Sequence, residues 1–384
     1  MSTVSLPHVL IVDDRDDQTA FKSELVAKNL ASVTVRHPQE VDKGDLIRAE
    51  LVLVDYQIDH WEQRDELEAL ALKPSDGLAL ASILRRAAHD SEKASPTAFA
   101  IHTGQIEKLA WPLPAEHREH ALARMNNLEW VFKKAQLGEP DNRATQVGEI
   151  ASAVLKLPKL WSSSGSVDRL DVLAELLDIR PDEKGRDQLI EDIEACLPPV
   201  HELSMWSHGL AVLRWLLHRI LPYPCFLWDS FQLAARFTMD HRDLSAALKS
   251  GQALTKALKE CEYSGILCLF AGTRWWRTRV ELFLWEITGG RSGDSDVVAE
   301  AISKLAGRAI KRSEPSDHPI VCLNSNYQPL QDFASLAEAV RIRPDDWPPY
   351  ADQAWATIEM VKSEPKMRAL LLREEIERLE EKNG

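Results

Sequence analysis

Two short apolar runs, each closing on acid, set what the first part of this chain can fold into. HVLIVDD (8–14) ends in Asp13 and Asp14, and LVLVD (51–55) ends in Asp55. An unbroken apolar run of this length reads as a strand buried on both faces, whereas a half-buried strand alternates. AFAIHT (98–103) and EWVFK (129–133) are of the same kind, and SVTVRH (32–37) alternates as a strand does. Between these runs lie amphipathic stretches. Phe21 and Leu25 stand one helical turn apart in 17–30, and Leu80, Ile83, Leu84 and Ala87 share a face in 76–87. AEHREHALARM (115–125) is a further helix, and 143–157 closes the series with Val147, Ile150, Ala151, Val154 and Leu155 on one stripe. Buried strands interleaved with helices imply an α/β fold with a doubly wound parallel sheet.

In such a sheet, ligands sit beyond the carboxyl ends of the strands. Asp13 and Asp14 end the first strand, Asp55 its neighbour, Thr103 the next and Lys133 the last. A lone acid pair after an apolar run is often only a helix cap. The whole set in strand order is a stronger signal. Three clustered carboxylates raise one another's pKa, and a Mg²⁺ ion with oxygen ligands relieves that repulsion. A hydroxyl and an ammonium opposite it suit the oxygens of a phosphoryl group. The chemistry expected is in-line attack of a carboxylate on phosphorus, giving an acyl phosphate.

With these motifs in place, residues 8–158 resemble the receiver domain of bacterial two-component response regulators. VLIVDD resembles the family's first strand and acid pair, LVLVDYQ its phosphoacceptor strand, and DGLALASILR the opening of its third helix. AIHTG and WVFKK resemble the strands carrying its Thr and Lys. The resemblance implies a five-stranded flavodoxin-like sheet and a cytoplasmic phosphoprotein with Asp55 as phosphoacceptor. It implies Mg²⁺ held by Asp14 directly, by Asp13 through water, by Asp55, and by the backbone carbonyl of Gln57. It places Thr103 and Lys133 on the phosphoryl oxygens and Trp130 at the rotating aromatic switch, a register that favours Lys133 over Lys134. A histidine kinase or phosphotransfer protein would be the phosphodonor, a downstream protein the target, and a homodimer is left open. Three departures stand out. Lys134 replaces the family's usual Pro, 60–74 is inserted between Asp55 and Gly77, and the stretch from Thr103 to Lys133, with WPLP at 111–114, is long.

The 384 residues suggest two domains, expected as a receiver over 1–158, a linker over 159–166 containing SSSGS, and a mostly helical domain over 167–384. Helices are expected at 167–178, 183–196, 203–221, 226–239, 243–260, 295–311, 333–341, 349–362 and 366–382, with PIVCL (319–323) and GILCLF (265–270) strand-like. A net charge of −14 argues against unaided nucleic-acid binding. The five scattered cysteines read as buried reduced thiols, and no apolar run is long enough to span a membrane. GTRWWRTR (272–279) is the one basic cluster with interleaved aromatics. It could stack bases or hold an anion, with Arg274, Arg277 and Arg279 as contacts, or simply start the amphipathic helix RTRVELFLWEI with the aromatics in the core. Cys196, His201 and His208 lack metal spacing, and DHRDLS (240–245) reads as a helix start capped by Asp243 or Ser245. Trp206, Trp215, Trp228 and Trp285 are expected between helices. The second half carries no recognised catalytic motif. The expected function is therefore a phosphorylation-switched adaptor that catalyses nothing beyond its own phosphorylation and dephosphorylation. A receiver-gated enzyme and a phosphate sink are the alternatives.

Overall fold

The computed structural model describes residues 5–381 apart from 16–17, 62–63, 65–72, 92, 94, 110–117, 135–141, 160, 162–165, 204–208 and 251–252. Most of the 60–74 insertion, the WPLP motif, most of the SSSGS linker, Trp206 and His208 therefore lie outside the described residues. The N-terminal strands are β1 (His8–Val12), β2 (Ser32–Arg36), β3 (Leu51–Asp55), β4 (Ala98–Thr103) and β5 (Trp130–Lys133). They form one all-parallel sheet in the order β2-β1-β3-β4-β5. The helices between and after them are α1 (Thr19–Ala27), α2 (Lys43–Arg48), α3 (Gly77–His89), α4 (Ile106–Leu109), α5 (Arg118–Met125) and α6 (Arg143–Lys156).

The pleat divides the buried strand residues between two helical layers. Leu10, Val12, Val52, Val54, Phe99, Ile101 and Val131 pack with Leu46, Leu80, Leu84 and Leu122 from α2, α3 and α5. The intervening Val9, Ile11, Leu51 and Leu53 are equally buried, and α6 packs over β3 and β4 beside α1. Gly148 of α6 is pressed against Leu30, where a Cβ would lie 2.9 Å from the leucine side chain. Both faces of the sheet are thus covered, as the continuous apolar strands demand.

The chain divides into two compact units, and the division does not coincide with the expected linker. The first unit is 1–178 together with 198–218 and 265–271; the second is 179–197, 219–264 and 272–384. Besides the sheet and its helices, the first unit contains α7 (Ser166–Leu176) and the helix Gly209–Trp215. Gln146 of α6 donates to the Phe270 carbonyl (3.1 Å), and Glu149 accepts from the Leu269 amide (3.0 Å). The 265–270 stretch is a series of turns rather than a strand, and these two bonds hold it.

The second unit is mainly helical, with one core gathering Leu233, Phe237, Leu244, Leu258, Val280, Leu284, Val298 and Ile302. The expected helix over 243–260 is two helices, His241–Lys249 and Ala253–Lys259. Its cap is Asp240, whose carboxylate accepts from the Asp243 amide (2.9 Å), and not Asp243 or Ser245. Asp243 is occupied by Arg308 (2.6 Å) and the Lys311 amide (2.6 Å). The expected helices at 333–341 and 349–362 are overturned in part. Ala339–Ile342 and Ala354–Thr357 pair as an antiparallel hairpin, and only Ile358–Ser363 is helical in the second stretch. Val340 and Ile342 point into a core with Ala354, Ala356 and Met367, while Arg341 between them reaches Glu374 and Glu375. Period-two burial overrode the helix propensity of ASLAEAV. PIVCL contributes only isolated bridges, Ile320–Ala334 and Leu323–Pro329. The C-terminal stretch is two short helices, Pro365–Ala369 and Arg373–Glu381. Trp215 and Trp228 are buried, but Trp285 is 58% exposed, contrary to expectation. The five cysteines are free thiols, four buried and Cys268 half-buried. No helix among the described residues is long and apolar enough to cross a membrane.

Candidate functional site

The three acids converge as their strand positions require. One carboxylate oxygen from each of Asp13, Asp14 and Asp55 lies within 4.8 Å of the others, and all three residues are buried. The sheet register aligns Val12 with Val54, so Asp13 and Asp55 leave adjacent strands at the same level. Gly77 lets the chain return close behind Asp55. Its amide donates to the Tyr56 carbonyl (2.8 Å), and a Cβ on it would lie 2.0 Å from the Asp55 carbonyl oxygen. Only glycine fits there. Asp76 then caps α3 by accepting from the Ala79 amide (2.9 Å).

The acids differ in how they are held. Asp13 accepts from the Arg15 amide (2.9 Å) and the Gln18 side-chain amide (2.6 Å). Asp14 accepts from the His60 amide (2.6 Å) through one oxygen, while its buried Oδ1 has no partner among the described residues. Asp55 sits 3.2 Å from the Lys134 ammonium, which also lies 3.8 Å from Asp13. Burial pushes the Asp55 carboxyl up to about 6; Lys134 opposes the shift and the Asp13 charge adds to it.

The lysine that the described contacts bring to Asp55 is therefore Lys134, where the sequence led to Lys133. The reason is the pleat. Asp55 is in register with His102, and His102 with Phe132. Lys134, two residues beyond Phe132, returns to the same side, whereas Lys133 is in register with Thr103. The Lys134 amide extends the ladder one step by donating to the Thr103 carbonyl (2.8 Å). Thr103 is fully buried at the end of β4, and its hydroxyl accepts from the Gln105 amide (3.0 Å). Gln57 is half-buried on the loop two residues past Asp55. Gln18 and the His60 amide, which orient the acids, follow no sequence pattern that would have singled them out. Nor does Arg143, which meets His102 behind Asp55 (2.7 Å) and lies over the Phe21 ring.

Trp130 is packed rather than poised at a surface. Its ring stacks on His218 (centroids 5.6 Å, 6° between planes) and meets His120 and Phe270 edge-on at 4.7 and 4.9 Å. The helix Gly209–Trp215 is tied alongside by Arg214, which binds the buried Glu129 carboxylate at 2.9 and 2.6 Å. Burial pulls His218 down to about 3, so its ring is neutral.

The donor set suits a hard divalent cation. Three buried carboxylates each offer an oxygen within 4.8 Å of the others, a cluster of hard oxygen donors of the kind such an ion takes. The unpartnered Asp14 Oδ1 is an acceptor that such an ion would satisfy. Among the described residues this is the one group of three metal-capable side chains. A divalent cation, added as Mg²⁺, is therefore expected to raise the melting temperature of the wild type. The gain is about 2.7 kcal/mol at 100 times Kd, and it should be lost in Asp14→Asn. Equal stabilisation of both proteins in a thermal melt would contradict the assignment. The chain matches no protein-family model and no curated protein.

Proposed function

We propose that the N-terminal unit is a phosphoacceptor switch of the receiver type, with Asp55 as the nucleophile. The observation that carries this reading is the convergence of Asp13, Asp14, Asp55 and the Lys134 ammonium at one sheet edge. An Asp55 oxygen attacks phosphorus in line; the new O–P bond forms as the bond to the donor's nitrogen or oxygen breaks, and the leaving group keeps the electron pair. Magnesium on Asp13, Asp14 and Asp55, joined by the Gln57 carbonyl, would neutralise charge at the phosphoryl oxygens. Lys134 supplies the second positive charge, and the Thr103 hydroxyl turns from Gln105 toward the added oxygens. The phosphodonor is a protein phosphohistidine, on a histidine kinase or phosphotransfer protein, or a small acyl phosphate.

The aromatic packing of Trp130 suggests where the signal goes. In this reading the outward face of β5 is read by the chain's own segments 209–218 and 265–271, which move when Thr103 moves. The protein then acts as a regulator rather than as a catalyst for other substrates. The test is direct. Incubation with acetyl phosphate and Mg²⁺, followed by borohydride trapping and peptide mapping, should place the phosphoryl group on Asp55. An adduct elsewhere, or none, rejects the proposal.

A further inference from the structure

The basic aromatic stretch GTRWWRTR is unused by the phosphoacceptor chemistry, and its three arginines have different surroundings. Arg279 forks onto Glu183 at 2.5 and 2.9 Å and lies over the Trp276 ring. Arg277 pairs with Asp352 (2.9 Å) and lies over Trp228. Among the described residues Arg274 donates only to two backbone carbonyls, those of Thr273 (3.2 Å) and Leu221 (3.3 Å). Burial pulls its pKa down, partly offset by Asp229. That aspartate is committed to a helix start, where one oxygen accepts from the Phe231 and Gln232 amides at 2.7 and 3.1 Å. A guanidinium left with carbonyl contacts alone retains strong affinity for a bidentate anion.

Arg274 lines a cavity of about 180 Å³. A second cavity, of about 490 Å³, is walled by Trp228, Trp347 and Trp355 with Ile320, Val321 and Ala235. The two share Pro224, Gln232, Leu323 and Trp347 as walls, so they adjoin. Trp228 is 6% exposed, and its indole N–H has no acceptor among the described residues. An aromatic-walled chamber with a few placed polar groups is the usual form of a small-molecule site; the carboxylates of Asp229 and Asp352 also line the two cavities.

We infer that these adjoining cavities form one binding site for a small amphipathic organic anion. A flat apolar body sits among the tryptophans, and a carboxylate or phosphate meets Arg274. The overall charge of −14 repels an anion in general, so the local cation is what would offset that repulsion here. This site is independent of Asp55, so either assignment can fail alone.

The full-length protein is titrated calorimetrically with 2-naphthoate and with its neutral analogue 2-naphthylmethanol. The acid should bind at one site, at least about tenfold more tightly than the alcohol, the factor expected of one charge-assisted contact. Arg274→Gln should remove that preference, and Arg274→Lys should retain part of it. Trp355→Ala, which lines the larger cavity and not the one that holds Arg274, should weaken both probes alike. Acid and alcohol binding equally to the wild type, or an undiminished preference in Arg274→Gln, overturns the anion assignment. No binding of 2-naphthoate at millimolar concentration overturns the site.

Discussion

Asp55→Asn takes no phosphoryl group from acetyl phosphate, Lys134→Ala takes it about 10²–10³-fold more slowly, and Lys133→Ala takes it at close to the native rate. The first result follows from losing the nucleophile. The asparagine carboxamide is neutral, and its oxygen cannot form a stable acyl phosphate. The magnitude for Lys134 is that of removing one preorganised charge from a site where negative charge develops. Lys134 lies 3.2 Å from Asp55 before any phosphoryl group arrives. It therefore needs little reorganisation to meet the incoming oxygens. Lys133 leaves the strand end on the opposite pleat, in register with Thr103. The three variants are compared by the initial rate of label incorporation at fixed acetyl phosphate and Mg²⁺. A large loss in Lys133→Ala together with a native rate in Lys134→Ala would reverse the assignment and restore the expectation from the sequence. Lys134→Arg separates charge from shape. It should recover part of the rate, because the role is electrostatic rather than proton transfer.

That reversal marks how far the sequence could be read. Strand identity was legible because VLIV, LVLV and AFAI are unbroken apolar runs, and burial on both faces leaves a parallel sheet as their natural setting. The acids were legible because a strand end fixes position along the chain to within a residue. The lysine was not, because two adjacent lysines differ only in pleat side, and parity at a strand end depends on a register that no local pattern reports. Choosing the residue three after Trp130 selected the wrong side. Trp130 itself was read as a mobile switch, but its partners His218 and Phe270 lie far along the sequence, and nothing near WVFKK announces them. The second unit fared worse for the same reason. ASLAEAV carries helix-forming residues, yet its end is drawn into a hairpin by AWAT, a partner about fifteen residues on. Local propensity is worth tenths of a kcal/mol per residue, so a buried cross-strand face outweighs it.

Arg214→Ala should destabilise the first unit by about 3 kcal/mol, the cost of leaving a buried carboxylate unpaired. Glu129 is fully buried, and one of its oxygens already accepts from the Phe99 amide at 2.6 Å. The other receives both Nε and Nη2 of Arg214, whose remaining contacts run to Asn127. Without the guanidinium, that second oxygen would be stripped of water and of counter-charge together. Adding Glu129→Gln to Arg214→Ala should recover about half of the loss or more, because the neutral amide oxygen can still accept from Phe99 and no charge is left buried. Urea midpoints of the two single variants and the double variant form the cycle, and strict additivity would show that the pair is not coupled. The same ion pair anchors the helix that carries the chain to His218, the ring stacked on Trp130. Arg214→Ala should therefore also raise amide hydrogen exchange across 209–218 while leaving label uptake at Asp55 intact. Chemistry and readout would then be separable. The acids and Lys134 lie at or just beyond the ends of β1, β3 and β5, whereas the contact that would transmit their state enters from the start of β5. Loss of labelling in this variant would mean instead that the ion pair supports the phosphoacceptor edge itself.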